Sequence, residues 1–382
     1  MRSKKNLCYT RSREVKCIMN NPFENVTILD FTHVYSGPYC TMLFADLGAR
    51  VIKVERPGSG DDTRHYLPFK NDESGYFAYL NRNKESITLD LKSPEGKEIA
   101  LGLMKQSDIV IENFSAGTMK KLGLSYEEAR KVRPDIIYAS ISGFGQTGPL
   151  CHKAAYDNIA QAMGGLLRVT GYPDQAPVKV GVSIADANAG IHAAFCLMAA
   201  LYYREHTGKG QYIDVSMMET TMSVLENFVI QYTLNGVVPE RMGNEHSASA
   251  PFDVYVTKDD YIAVATASNR LFSRMQDAMG LDIMSDPRFA ENTLRRKNYA
   301  ELKPIIEAWM KEHTTADIVA LFDKAGVPAA PLLRIDELVH HPQIRQRGTM
   351  ETQHHPVIGD FEMPGFPAHF SEIQTPVRKA AP

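Results

Sequence analysis

Two hydrophobic rhythms alternate along the first half of the chain. Val26–Val34 (VTILDFTHV), Arg50–Glu55 (RVIKVE), Ser86–Leu91, Asp108–Glu112, Asp135–Ser142 (DIIYASIS) and Gln211–Ser216 (QYIDVS) are short apolar runs closed by turn residues. That is the pattern of buried strands. Between them, Tyr39–Leu47, Pro94–Gln106 and Tyr126–Val132 have helical spacing. Pro94 and Glu95 suit a first helical turn, where no amide partner is needed and negative charge is favoured. A strand, a helix and a strand within about thirty residues form a βαβ unit with parallel strands. Repetition of this unit predicts an open α/β sheet with helices on both faces. Ala155–Leu167 and Met217–Leu234 also read as helices. Val180–Glu205 passes from a polar loop into a long apolar segment, with Asp186 at the junction and basic residues near its end.

The pattern changes after residue 236. Ala250–Thr257 and Asp260–Thr266 flank Lys258-Asp259 as an antiparallel hairpin. Helical spacing follows at Asn269–Met279, at about 296–311, at Ala316–Lys324 and at Ile335–Val339, with a strand at Ala329–Leu333. The expected organisation is a basic, disordered tail (1–19), a large α/β domain (20–235), a smaller α+β domain (236–330) and a C-terminal return to the first (331–382). From Pro342 onward, Pro, Gly and His predict little regular structure.

Composition narrows the function classes. The 382 residues are 44% hydrophobic and 23% charged, as in globular proteins. The net charge of −3 splits into +5 over residues 1–19 and −8 over the rest, which gives no general attraction to nucleic acid. No apolar run reaches the length of a membrane span. The five cysteines are scattered and the histidine pairs His340-His341 and His354-His355 lack further ligands nearby, so neither a disulfide framework nor a metal site is expected. A reducing cytoplasm fits. The first βα turn has only Gly37, not G-x-G-x-x-G, which argues against nicotinamide binding. Glu55 ends the second strand, and the polar loop Pro57–Asp62 leaves Arg56 or Arg64 able to meet an anion.

Asp186 has three chemical readings. As a nucleophile it attacks an activated acyl group, and the positive end of a helix keeps it ionised. As a general base it needs a raised pKa and a second acid-base group. As part of the capping-box pattern Ser183-x-x-Asp186 it only closes the helix. The residues alone leave all three open.

Eight segments together carry a resemblance: LDFTHVYSGP (Leu29–Pro38), GARVIKVERPGSGDDTR (Gly48–Arg64), SITLDLKSPEGK (Ser86–Lys97), ENFSAGTMKKLG (Glu112–Gly123), ASISGFGQTGP (Ala139–Pro149), AYDNIAQAMGG (Ala155–Gly165), SIADANAG (Ser183–Gly190) and GKGQYIDVSM (Gly208–Met217). In these the chain resembles the class III coenzyme A transferases, and its segment Gly243–Tyr255 looks most like the acetyl-CoA:oxalate branch. The resemblance implies a Rossmann-like large domain with a smaller α+β domain, and an interlocked homodimer. It implies transfer of CoA from an acyl-CoA (acetyl-, formyl- or succinyl-CoA) to a small carboxylic acid such as oxalate. The nucleophile is then Asp186, working through aspartyl-acyl anhydride and aspartyl-CoA thioester intermediates, with no cofactor beyond the CoA cosubstrate and no metal. It also assigns CoA-binding positions: Tyr35, Ser36, Arg56, Leu89, Asp90, Lys92, Asn113, Phe114, Ser115, Lys121 and Tyr156. Tyr35 replaces a family glutamine and Lys121 a family arginine, so a phosphate contact at Lys121 is a point charge rather than a fork. Lys153 is one place out of register with a family lysine. The alternatives are a 2-methylacyl-CoA racemase of the same superfamily, or a non-catalytic CoA-ester binding protein. The racemases need a histidine where Tyr156 stands, and a phenol of pKa about 10 is a poor substitute.

Overall fold

The computed structural model describes residues 21–382; the basic tail expected at 1–19 lies outside the described residues. The chain forms two compact units. One runs to His152 and adds Gly190–Val215 and Thr349–Pro382; the other holds Lys153–Ala189 and Ser216–Gly348.

The first unit opens with β1 (Thr27–Asp30), α1 (Ser36–Asp46) and β2 (Arg50–Glu55). A two-residue hairpin of β3 (Phe69–Lys70) and β4 (Glu73–Ser74) leads to α2 (Gly75–Leu80). Then come β5 (Glu85–Thr88), α3 (Pro94–Gln106), β6 (Ile109–Glu112), α4 (Thr118–Leu122), α5 (Tyr126–Val132) and β7 (Ile137–Ser142). Strands pair parallel in the order β5-β2-β1-β6-β7, and a strand at Tyr212–Ser216 continues the sheet beside β7. The order reverses between β1 and β6, the place where open α/β sheets bind ligands. Leu29, Phe31, Ile52, Val54, Val110 and Tyr138 form one core with Ala100, Met104, Met119 and Ala129 of the covering helices. The expected strand Val26–Val34 stops at Asp30. Its last residues peel away because Asp30 turns back to accept the Thr32 N–H at 2.8 Å, and Val34 adopts a φ of +65°.

The second unit starts with α6 (Asp157–Met163) and α7 (Leu166–Val169). One helix was expected over Ala155–Leu167. Gly164-Gly165 divides it, with Gly165 at φ +88° and a Cβ at Gly164 falling 2.6 Å from Thr221 Cβ. The long α8 (Ile184–Thr207) spans both units, with Gly208 following at φ +69°. It is long and apolar enough to cross a bilayer, yet Ala185, Ala189, Ala193, Ala194, Leu197 and Ala200 are buried within the fold. Gly190 brings it onto α1, since a Cβ there lies 2.6 Å from the Ser36 carbonyl oxygen.

After β8 (Tyr212–Ser216), the helix expected over Met217–Leu234 is two helices, α9 (Met217–Ser223) and α10 (Phe228–Asn235), parted at Glu226 with φ +50°. The hairpin is present as β9 (Phe252–Val256) and β10 (Tyr261–Ala265), antiparallel. Next are α11 (Asn269–Met279), α12 (Asn292–Lys297), α13 (Tyr299–Lys311), α14 (Thr315–Ala325), β11 (Ala329–Pro331), α15 (Ile335–His340) and α16 (Pro342–Gln346). Phe272, Met275 and Met279, and Tyr299, Leu302, Ile306 and Met310, repeat at helical spacing and share one core with Tyr255, Ile262 and Val264.

The C-terminus corrects the sequence reading. Beyond α16, β12 (Met350–His355) and β13 (Gly359–Pro364) form a six-pair antiparallel hairpin within the first unit. Ile358 joins Phe77 and Ala78 of α2 in a small core. The final residues are tied down by the Asn83 side chain, which accepts the amides of Arg378 at 2.7 Å and Lys379 at 3.0 Å. The histidines serve as local caps: His355 Nδ1 accepts from Ile358 N–H at 3.1 Å, and His341 Nδ1 from Gln343 N–H at 3.2 Å.

Candidate active site

The carboxyl ends of four neighbouring strands hold most of the assigned positions. Leu89, Asp90 and Lys92 follow β5, Arg56 follows β2, Tyr35 and Ser36 follow β1, and Asn113, Phe114 and Ser115 follow β6. Lys121 lies in α4, which continues from β6. These ten therefore share one edge of the first unit. Tyr156 and Asp186 belong to the second.

The loop after β1 is clamped by groups distant in sequence. Asn113 accepts the His33 N–H at 2.9 Å and donates to the His33 carbonyl at 2.8 Å, so its amide is spent largely on this loop. Asp61 accepts the Val34 N–H at 3.2 Å. Lys53 donates to the Thr32 carbonyl at 2.7 Å and pairs with Asp61 at 2.7 Å, both side chains fully buried. Burial opposes ionisation of Asp61, but the Lys53 charge outweighs it and holds the carboxyl far below its usual range. Beneath this pair, Asp30 accepts from Thr41 Oγ1 at 2.6 Å and faces Lys84 at 3.4 Å. Burial pushes the Lys84 ammonium down to about 8. A left-handed β-branched residue such as Val34 costs free energy, and the clamp offsets it. At the end of the loop Tyr35 stacks on Tyr39, centroids 5.4 Å apart, and the Ser36 side chain is buried with Asn113 Nδ2 at 3.5 Å. Sequence reasoning missed Lys53, Asp61 and Lys84, because charged residues inside a strand or turn give no local sign of burial.

The loop after β2, expected to meet an anion, is also largely self-satisfied. Arg64 forks onto Glu55 with both bonds at 2.7 Å and also donates to the Pro382 carbonyl at 2.9 Å. Against the effect of burial, Arg64, Ser86 and the Asp61 amide hold Glu55 down at about 2. Glu55 thus has a structural partner. Arg56 is exposed, donates to the Gly60 carbonyl at 3.2 Å and pairs with Asp62. Exposed pairs of this kind contribute at most about 1 kcal/mol, so Arg56 can be redirected to a phosphate. Cys40 is fully buried in α1, its thiol pushed up by burial, as expected of an inert thiol.

Asp186 is the third residue of α8, in its first turn. Asp157 adds a cap from another helix: its Oδ1 accepts the Ala185 N–H at 2.8 Å. Asp157 opens α6, is 8% exposed, and accepts from Gln161 Nε2 at 2.7 Å. Gln161 in turn accepts the Val180 N–H at 3.0 Å. The aspartate–glutamine pair thereby sets the approach to α8 from both sides of residues 181–184. Asn188, one turn on, donates to the Thr220 carbonyl at 2.6 Å. The helix mouth does not keep Asp186 strongly acidic. Burial, and then the Asp157 charge, push its carboxyl up to about 7. A helix terminus favours a charge by about 0.3–1 kcal/mol, under one pKa unit, so desolvation wins. Tyr156 is 70% exposed and starts α6 through its carbonyl, which accepts from Ala160 N–H at 3.1 Å.

The first βα turn carries no glycine-rich fingerprint, and comparison with known proteins supplies the family. Residues 23–382 match CoA-transferase family III, and the chain belongs to that family. It is 42% identical over 357 residues to the acetyl-CoA:oxalate CoA-transferase of Acetobacter aceti, covering 93% of this chain and 90% of that one. It is 37% identical to the succinyl-CoA:glutarate CoA-transferase of Mus musculus, covering 98% and 86%. Among solved structures, a CAIB/BAIF family protein from Brucella suis superposes with a TM-score of 0.84 at 35% identity, over 95% of this chain and 96% of that one. The protein is a class III CoA-transferase, moving CoA from an acyl-CoA to a carboxylate.

Proposed function

We propose that Asp186 is the nucleophile of this transfer and that a small dicarboxylate is the acceptor. The observation that carries the reading is the position of Asp186: a half-buried carboxyl in the first turn of α8, titrating near 7, in a helix that continues into the unit holding the assigned CoA residues. Near neutral pH a substantial fraction is ionised, and a carboxylate of raised pKa is a better nucleophile than an ordinary one. Its oxygen attacks the thioester carbonyl; the carbon–sulfur bond breaks and CoA leaves as thiolate. The thiolate attacks the aspartyl carbonyl of the resulting anhydride and releases the donor acid. The acceptor carboxylate attacks the aspartyl-CoA thioester, again expelling thiolate, and the thiolate takes the acceptor acyl group from the second anhydride. Asp186 is regenerated, and the cycle calls for no metal or redox group.

Oxalate is the first acceptor to test, by likeness to the Acetobacter enzyme; glutarate is the second, by likeness to the mouse enzyme. Racemisation is disfavoured because Tyr156 brings a largely exposed phenol where an imidazole is required. Incubation with acetyl-CoA or succinyl-CoA and hydroxylamine, followed by intact and peptide mass analysis, is expected to find a hydroxamate on Asp186. Full turnover by Asp186→Ala overturns the nucleophile assignment, and α-deuterium exchange without CoA transfer favours the racemase. A cytoplasmic homodimer is part of the same reading, and light scattering reads the subunit number.

A further inference from the structure

Glu112 is the last residue of β6, and only 3% of it is exposed. In the sheet register it stands beside Ser140 of β7. Alternation along the strand puts it on the face of Val110, which packs in the apolar core with Met104 and Tyr138. Burial pushes the carboxyl up to about 7, and the Asp214 charge on β8 adds to the shift. The two groups that bind it, the Ser140 hydroxyl and the Phe114 amide, are both uncharged. A glutamine would accept from the same amide without the cost of burying a charge. The stability of the strand end therefore does not account for an acid at this position.

What the carboxylate holds is the turn beyond it. Glu112 Oε2 accepts the Phe114 N–H at 2.8 Å, two residues on. Asn113, in between, reaches back to the loop after β1 and bonds both the amide and the carbonyl of His33. The rings of His33 and Phe114 meet with centroids 5.7 Å apart. Behind the carboxylate, Tyr212 of β8 donates to Ser140 Oγ at 3.0 Å. One buried acid thus orients the peptide between Asn113 and Phe114 and ties the β6 loop to the β1 loop.

We propose that Glu112 is a positioning residue for coenzyme A: its carboxylate orients the Asn113–Phe114 peptide, and with it the Phe114 ring, for the ligand. This rests on the reading of Asn113, Phe114 and Ser115 as CoA positions. Hydrogen bonds to an ionised acceptor are roughly twice as strong as neutral ones. The loop is held most firmly when Glu112 is ionised, and CoA affinity falls as the proton is taken up. The titratable groups around it are Asp214 and Tyr212 of β8 and Tyr138 of β7. Burial pushes both phenols up, so they stay neutral across this range.

The test is calorimetric binding of CoA to the full chain at pH 6 and pH 8, with urea unfolding alongside. Glu112→Gln keeps the acceptor and the shape but not the charge. It is expected to bind CoA about fivefold more weakly than wild type at pH 8. At pH 6, where the wild-type carboxyl is largely protonated too, the two are expected to bind nearly equally. Titration of the ligand and of Asp186 is common to both proteins and drops out of the ratio. The same variant is expected to be more stable than wild type at pH 8. The Glu112 carboxyl rises from 4.5 to about 7 on folding, so the stability it contributes is present below about pH 4.5 and lost as pH rises through about 7. Weaker binding in a more stable protein is an outcome that a merely structural role does not give. Glu112→Ala removes the acceptor and is expected to weaken CoA binding at both pH values. Equal or tighter binding by Glu112→Gln at pH 8 overturns the proposal, as does a loss of the same size at both pH values. Phe114→Ala separates the two readings. Unchanged CoA binding there overturns the placement of CoA on this loop and this proposal with it; a loss there beside full affinity in Glu112→Gln overturns this proposal alone.

Discussion

The carboxylate of Asp157 accepts the amide of Ala185 at 2.8 Å, one residue before Asp186. The same group thus fixes the helix mouth and disfavours the charge beside it. Asp157→Asn keeps an acceptor oxygen but removes the charge. The acid limb of the kcat–pH profile is expected to move to lower pH, with the fold retained. Asp157→Ala also loses the cap, a cost of about 1 kcal/mol measurable by urea unfolding. An unmoved acid limb in the asparagine variant refutes the electrostatic part of this role.

Titration of Asp186 links activity to stability with opposite signs. The carboxyl rises from 3.8 to about 7 on folding, so the native state holds the proton more tightly than the unfolded chain. The resulting stability is fully present below about pH 4 and is lost as pH rises through about 7. Activity that needs the carboxylate rises over the same window. Asp186→Asn is therefore expected to be inactive yet more stable than wild type at pH 8, by a few kcal/mol at most, at about 1.4 kcal/mol per pKa unit. Glu112, buried at the end of β6 and raised by burial to about 7, keeps its own contribution in both proteins. Equal melting temperatures at pH 8 would contradict the burial argument.

The buried Lys53–Asp61 pair holds Val34 in its left-handed conformation. Asp61→Asn leaves an uncompensated ammonium and is expected to cost about 3 kcal/mol of stability and to raise KM for acyl-CoA more than it lowers kcat. Glycine adopts a φ of +65° without the steric penalty. Val34→Gly in the Asp61→Asn background is therefore expected to recover part of the KM. Steady-state kinetics of the double variant decides it: no recovery means that the clamp supports folding but not the CoA loop.

Much of the architecture is legible in the sequence because period is a local property. The runs at Arg50–Glu55 and Tyr126–Val132 match strand and helix limits, and Asn269–Met279 matches α11. Helices misread as continuous, over Ala155–Leu167 and Met217–Leu234, fail at Gly165 and Glu226, whose positive φ values a count of apolar residues does not register. The C-terminal hairpin was invisible because its buried residues, Gln353, Ile358 and Met363, are too few and too mixed to set a period.

By itself, the sequence determined the α/β alternation, the β9–β10 hairpin and the family, since strand and helix periods and eight matching segments are properties of neighbouring residues. Only the tertiary structure decided which charges are neutralised. Asn113 is bound to His33 across 80 positions, Arg64 to the chain terminus across 318, and Ala185 to Asp157 across 28. Whether a carboxylate titrates at about 2, as Glu55 does, or at about 7, as Asp186 does, depends on the solvent it loses and the partners it meets. Those are long-range consequences of packing, and neither is encoded in the residues on either side.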